Sequence, residues 1–103
     1  MSNLVTETYA EIVTARKVVA SAGTAVQVTA TITPCYRVVV QAESDNTGLI
    51  AVGDASVVAA AGTQQGAILS ASGAVDILLN DLSKIYIDST VSGDGVSITY
   101  YTS

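Results

Sequence analysis

Residues 35–53 read Cys-Tyr-Arg-Val-Val-Val-Gln-Ala-Glu-Ser-Asp-Asn-Thr-Gly-Leu-Ile-Ala-Val-Gly. The β-branched run Tyr36–Ala42 is typical of a strand, because branched side chains pack well on a pleated surface. Asp45-Asn46-Thr47-Gly48 has the composition of a turn, since Asp and Asn bond their own backbone and Gly accepts a left-handed conformation. We therefore expect Tyr36–Ala42 to be a central strand that pairs antiparallel with Gly48–Gly53 as a hairpin.

The same alternation of strands and turns continues on both sides of this stretch. Residues 84–88, Lys-Ile-Tyr-Ile-Asp, have a period of two that places Ile85 and Ile87 inward and Lys84 and Asp88 outward. The expected strands are Arg16–Ala20, Ala25–Ala30, Tyr36–Ala42, Gly48–Gly53, Gly66–Ser70, Ala74–Leu79, Leu82–Asp88 and Gly95–Tyr101, the first two joined as a hairpin through residues 21–24. Short strands at this spacing predict an all-β fold: an antiparallel β-sandwich, jelly-roll-like, with about eight strands in one domain over residues 16–103.

Residues 1–15 have a different pattern and are interpreted as a short N-terminal arm, either helical or extended. Their apolar residues can line one face of a helix, whereas their many β-branched side chains favour a tail or an additional edge strand. Apolar side chains in such an arm need a surface on which to be buried. The candidate contact residues are Leu4, Val5, Tyr9, Ile12 and Val13.

The residue inventory leaves little for catalysis. The chain has no His, Trp or Phe and a single Cys, which excludes Ser-His and Cys-His nucleophiles and makes a zinc site implausible. Lys84 is expected in solvent, so a Ser-Lys dyad is disfavoured. The late carboxylates are interpreted as turn and outward-facing residues rather than as a glycosidase pair or a calcium site: Asp76, Asp81, Asp88 and Asp94. We expect no catalytic residue, no cofactor and no metal.

Charge and hydropathy limit the range of partners. A net charge of −5 with four Lys and Arg residues disfavours nucleic acid and anionic membranes, which attract clustered basic side chains. No apolar run is long enough for a transmembrane helix, and the N-terminus has no basic region of the kind that opens a signal peptide, so a cytoplasmic site of synthesis is expected. Cys35 is interpreted as a buried thiol, and Tyr36, Tyr86, Tyr100 and Tyr101 as sheet-packing residues rather than a stacking surface.

Three blocks of sequence together resemble a group of small virion proteins of tailed bacteriophages. They are the stretch 35–53, with its Cys-x-x-Val-x-x-Gln-Ala strand and Asn-Thr-Gly turn, the strand Leu-Ser-Lys-Ile-Tyr-Ile-Asp at 82–88, and Gly-Asp-Gly-Val-Ser-Ile-Thr-Tyr at 93–100. Residues 22–26, Ala-Gly-Thr-Ala-Val, also fit, so that the likeness covers residues 16–101 and leaves the arm outside it.

This resemblance implies a non-enzymatic structural protein of the virion, assembled in the host cytoplasm, such as a capsid decoration or cement subunit. Its expected partners are the major capsid protein or other virion proteins, and further copies of itself in a homo-oligomer. An alternative is a tail- or fibre-associated module, or a carbohydrate-binding β-sandwich that uses exposed tyrosines and loops.

Overall fold

The computed structural model describes residues 11–102, and over this range the chain is built from β-strands and one short 3₁₀ helix. The strands are β1 (Glu11–Val18), β2 (Val26–Gln27), β3 (Arg37–Ala42), β4 (Ile50–Gly53), β5 (Ala67–Leu69), β6 (Ala74–Ile77), β7 (Tyr86–Ser89) and β8 (Gly95–Thr102), with the helix at Leu82–Lys84.

The strands form two four-stranded antiparallel sheets. Sheet A has the order β1-β8-β3-β6, and sheet B has the order β2-β7-β4-β5. Four of the strand pairs are nested: β1 pairs with β8, β2 with β7, β3 with β6 and β4 with β5. The two further pairs, β3 with β8 and β4 with β7, join these four pairs into two sheets. This is the pairing of a jelly roll, so the predicted all-β sandwich of eight strands is confirmed.

The two predicted hairpins are wrong. β1 pairs with β8 and β2 pairs with β7, so the first two strands lie in different sheets. β3 and β4 are also in different sheets, and the connection between them is bonded to the start of β8. Glu43 N–H donates to the Gly95 carbonyl at 3.0 Å, and the Asn46 side chain holds the same residue.

The core lies between the inward faces of the two sheets. Val38, Val40 and Ile98 from sheet A meet Ile50 and Ile87 from sheet B, and each of these side chains is at most 1 % exposed. Complete burial of one Val or Ile contributes about 1.5–3 kcal/mol, so the core depends on many small contacts.

Strand β1 extends further toward the N-terminus than the predicted first strand. The predicted boundary between arm and sandwich at residue 15 falls inside this strand, and residues 11–15 are extended and paired with β8. Of the five candidate contact residues, Leu4, Val5 and Tyr9 lie outside the described residues.

The expected strand Leu82–Asp88 begins instead as the 3₁₀ helix, and the strand itself is Tyr86–Ser89. Asp81 caps this helix: its carboxylate accepts hydrogen bonds from Ser83 N–H at 3.0 Å, from Ser83 Oγ at 2.9 Å, and from Thr33 N–H at 3.0 Å across the β2–β3 connection. The backbone hydrogen bonds from Thr33 and Ser83 hold the pKa of Asp81 below its usual range.

This lowered pKa predicts a loss of stability in acid. Because the folded-state pKa of Asp81 is below its unfolded value, its contribution is complete above about pH 4 and disappears as the pH falls through the folded-state pKa. We expect Asp81→Asn to unfold at lower urea concentration at neutral pH and to show a shallower decline in stability below about pH 4 than the wild type. Urea titrations across the acid range measure both effects, and parallel acid profiles for the two proteins would contradict the prediction.

Candidate functional site

The outward faces of the two sheets differ in what lies over them. The outward face of sheet B is covered by the chain itself, through the segment 54–66 that connects β4 to β5. Val57 and Ala59 of this segment are buried together with Ala51 of β4, and Ile68 and Tyr86 pack against them. Val58 and Gln65 form a bridge within the segment, so that it lies over the sheet as a small ordered structure.

Asp88 fastens this covering segment to the sheet. Its Oδ2 accepts a hydrogen bond from Ala59 N–H at 3.0 Å, and its Oδ1 accepts one from Gly23 N–H at 3.0 Å in the β1–β2 connection. Asp88 is only 1 % exposed, although the alternating pattern correctly places it on the outward side of its strand. The side chain does point away from the core, but the segment 54–66 excludes water from it.

The outward face of sheet A, by contrast, has no such cover within the described part of the chain. Apart from Gly95 at the start of β8, none of its outward-facing strand residues is buried, and we refer to this surface as the open face. At one end of this face, four residues form a row across the strands. Ile12 and Arg37 both pair with Tyr101, and Leu78, one residue beyond β6, follows Arg37 in the same register. Ile12 is 65 % exposed and Leu78 is 79 % exposed, so two large aliphatic side chains stand in water on this face.

The remainder of the open face is flat and polar. Two further rows of cross-strand neighbours complete it: Thr14, Thr99, Val39 and Asp76, followed by Arg16, Ser97, Gln41 and Ala74. Apart from Arg16 and Gln41 these side chains are short, which leaves a surface that a second surface can approach closely.

Two ion pairs lie on the open face. Arg37 binds Asp76 through Nε at 3.0 Å and through Nη2, and Arg16 binds Glu43 through Nε and, at 3.0 Å, through Nη2. The hydrogen bonds from these guanidinium groups lower the pKa values of Asp76 and Glu43. A shallow depression of about 480 Å³ lies beside the Arg16–Glu43 ion pair. Its lining residues are Arg16, Gln41, Ala42, Glu43, Ser44, Asp45, Ser72 and Ser97.

An aromatic cluster borders the apolar end of the open face. The rings of Tyr36 and Tyr101 have centroids 6.2 Å apart at an interplanar angle of 42°, and the Arg37 guanidinium carbon lies 5.7 Å from the Tyr101 centroid. Tyr36 is 47 % exposed. The other two tyrosines of residues 11–102 pack within the fold, Tyr86 under the covering segment and Tyr100 against the core.

No protein-family model and no curated protein matches this chain. Within residues 11–102, no helix has the length and apolar character needed to cross a membrane.

The turns of two of the quoted sequence blocks, 35–53 and 93–100, meet at one corner of the fold. Asp94 accepts a hydrogen bond from Gly48 N–H at 2.8 Å, and the Asn46 side chain both donates to the Gly95 carbonyl at 2.8 Å and accepts from Gly95 N–H at 3.0 Å. A Cβ on Gly48 would lie 2.2 Å from Thr90 Oγ1, so a side chain does not fit there. The Asn-Thr-Gly turn before β4 and the Gly-Asp-Gly turn before β8 are thus held together by these hydrogen bonds.

The carboxylates considered for catalysis are each occupied by separate partners. Asp76 binds Arg37 on the open face, Asp81 caps the 3₁₀ helix, Asp88 holds the covering segment, and Asp94 holds the corner turn. Among the described residues no three of His, Cys, Asp and Glu come together as potential metal ligands. As the sequence pattern predicts, Asp88 is on the outward side of its strand and Asp94 closes a turn, but the pattern does not indicate that both are buried acceptors.

The remaining predicted residues occupy three environments. Ile12 is on the open face, whereas Val13 points to the inward face beside Tyr100, so the two do not share one surface. Cys35 is half-buried against the core, and its burial raises the pKa of the thiol. Lys84 is exposed and donates to Asn80 Oδ1 at 3.2 Å. Sequence reasoning does not place Arg37, Leu78 or Tyr101 on the same face as Ile12, because only strand register brings them into one row.

Proposed function

We propose that this protein is a non-enzymatic structural subunit of a tailed-phage particle, a decoration or cement protein that binds the assembled head shell through the open face. The observation that carries the proposal is the contrast between the two outward faces. Segment 54–66 covers one of them, whereas within residues 11–102 no segment covers the other, and Ile12 and Leu78 are exposed on it.

The chemistry of the open face suits a broad, flat contact. Ile12, Tyr101 and Leu78 supply apolar area at one end, and mostly polar side chains cover the rest. Aromatic and arginine side chains such as Tyr101 and Arg37 are common anchors of protein interfaces. A cement subunit that binds only the assembled shell stabilises it by mass action, because the buried area exists only in the complete particle.

The likeness of residues 16–101 to small phage virion proteins supports the same function, and the residues that carry it have structural roles here. Asn46, Gly48, Asp94 and Gly95 lock one corner of the sandwich. Such residues specify a rigid scaffold rather than a reaction, which agrees with a protein whose activity is binding.

The open face gives a direct test. Leu78→Asp introduces a charge into the apolar end of the proposed contact, and we expect it to weaken binding to the shell by at least about tenfold, since truncation of an interface anchor costs about 2 kcal/mol or more. The measurement is co-sedimentation of purified protein with shells assembled from the accompanying major capsid protein alone. Because Leu78 is 79 % exposed, the variant should unfold at the same urea concentration as the wild type.

Ile32→Asp is the matched control. Ile32 is 75 % exposed but lies in the β2–β3 connection, not on sheet A, so this variant should bind shells like the wild type. Equal loss of binding in both variants would contradict the assignment of the contact to the open face. A wild-type protein that does not sediment with shells at all would contradict the proposed function itself.

The aromatic cluster favours a second candidate, a tail- or fibre-associated module that reads carbohydrate. Sugars stack on exposed tyrosine rings, and Tyr36 with Tyr101 and Arg37 forms an accessible aromatic and polar group. Saturable binding of host-cell glycan that is lost in Tyr36→Ala, together with no binding to shells, would favour this candidate over the first.

A further inference from the structure

The four edge strands of the sandwich differ greatly in length. Edge strands β2, β5 and β6 have two, three and four residues, whereas edge strand β1 has eight. Natural proteins keep exposed edges short or cover them, because a long row of unpaired backbone groups recruits another strand. Within residues 11–102 no strand pairs with the outer edge of β1.

The backbone groups at this edge can be assigned from the hydrogen bonds at the end of the strand. Val19 N–H donates to the Asp94 carbonyl at 2.9 Å, and the Val19 carbonyl accepts from Gly93 N–H at 2.9 Å, so residue 19 directs its backbone toward β8. Backbone groups alternate in direction along an antiparallel strand. Residues 12, 14, 16 and 18 therefore direct their N–H and C=O groups to the open edge.

We infer that the partner of this edge is β1 of a second copy, paired antiparallel about a two-fold axis through Thr14 to give one continuous eight-stranded sheet. This register pairs residues 12 and 16 and residue 14 with itself, so the groups at the open edge bond to one another. It also keeps the open faces of both copies on the same side. Two-fold pairing of an identical surface is the commonest form of protein dimer.

Backbone pairing at this edge allows several registers that differ by steps of two residues, and the positions of the charged side chains favour the one centred on Thr14. With Thr14 at the centre, Glu11 of each copy lies opposite Lys17 of the other, which gives two opposite-charge pairs on one face of the sheet. A shift by two residues places Glu11 opposite Ala15 or Val19 and loses both pairs. The pairing joins two binding surfaces into one, but it is independent of whether the bound surface is a phage shell.

The register predicts a charge-reversal experiment. Glu11→Lys and Lys17→Glu each place like charges opposite one another twice, and each should raise the dimer dissociation constant by about tenfold, since cross-strand charge pairs contribute up to about 1 kcal/mol each. The double variant Glu11→Lys with Lys17→Glu restores both pairs and should recover the wild-type dissociation constant. Residues 11 and 17 of one copy are about 20 Å apart along the strand, so the recovery must arise between chains.

A second variant tests the backbone pairing. Thr14→Pro removes an N–H that faces the open edge, which an edge strand tolerates without loss of its β8 ladder, and it should yield a folded monomer. Thr14→Ala retains the N–H and should remain dimeric. Sedimentation velocity of the full chain up to millimolar concentration measures the association state of the wild type and of each variant, and circular dichroism checks that each is folded.

Three outcomes would overturn the inference. They are a wild-type protein that stays monomeric over the whole concentration range, an oligomer that persists unchanged in folded Thr14→Pro, and a double variant that associates no better than the single ones. If Leu78→Asp lost shell binding but still dimerised, the β1 edge and the open face would be shown to make independent contacts.

Discussion

Replacing Asp88 by alanine should lower the free energy of unfolding by about 3 kcal/mol. The wild-type carboxylate accepts hydrogen bonds from Ala59 N–H and Gly23 N–H, both at 3.0 Å, in a site where Asp88 is 1 % exposed. Alanine leaves Ala59 N–H without its acceptor and leaves Gly23 N–H only the longer hydrogen bond to the Ser89 carbonyl at 3.3 Å. An unpaired buried donor costs about 1–3 kcal/mol. Because Ala59 is itself fully buried, water cannot replace the carboxylate there while the covering segment remains closed.

Urea denaturation measures this loss as a lower midpoint at an unchanged slope. Asp88→Asn should lie between the alanine variant and the wild type, because its amide retains one acceptor oxygen but presents an NH₂ group to the other N–H. Asp76→Ala is the control, since it removes a carboxylate from the exposed surface and should leave the midpoint nearly unchanged. Equal midpoints for Asp88→Ala and Asp76→Ala would show that Asp88 does not fasten the segment.

Hydrogen exchange gives a local readout of the same contact. In the wild type the Ala59 amide is bonded and buried, so it should exchange slowly, and in Asp88→Ala it should exchange far faster than amides of β3 and β8. Such an opening would expose Ala51 and Ile68, which the segment 54–66 now covers. Sheet B would then carry a second apolar outward face, and nonspecific association should increase.

The existence of the strands can be predicted from the sequence, but their partners cannot. Alternation of apolar and polar residues and the Gly, Asn and Asp turns are local signals, and each expected strand overlaps an observed strand. The pairing of β1 with β8 joins residues at opposite ends of the chain. No local signal reports this, so the turns at residues 21–24 and 45–48 have the composition of hairpins, whereas both connect one sheet to the other.

The candidate site shows the same division between local and distant information. The apolar character of Ile12 is enough to predict a contact residue, but the row that it shares with Tyr101 and Leu78 depends on the register of three strand pairs. The alternating pattern places Asp88 in solvent because a charged residue in such a strand usually faces water. The signal that corrects this is the run Val57-Val58-Ala59-Ala60-Ala61, which is too apolar for an exposed connection and needs a surface to cover.

Gly66→Ala should destabilise the fold by about 3 kcal/mol, because two costs coincide at this position. Gly66 has a φ of +106°, a conformation that L-residues rarely adopt. A Cβ there would also lie 2.6 Å from the Val52 carbonyl oxygen and 2.8 Å from Val57 Cγ2. The backbone of β4 cannot move away without breaking its pairs with β5 and β7, so the strain has no inexpensive release.

Gly62→Ala separates the two costs, because Gly62 has a φ of +89° but a Cβ added there would meet no atom within 4 Å beyond its chain neighbours. This variant in the same segment should lose about 1 kcal/mol from backbone strain alone. The difference in urea midpoint between the two variants then measures the close approach of Gly66 to β4. If Gly66→Ala were no less stable than Gly62→Ala, the segment 54–66 would have to lie more loosely on sheet B, and the contrast between the covered and the open face would lose its physical basis.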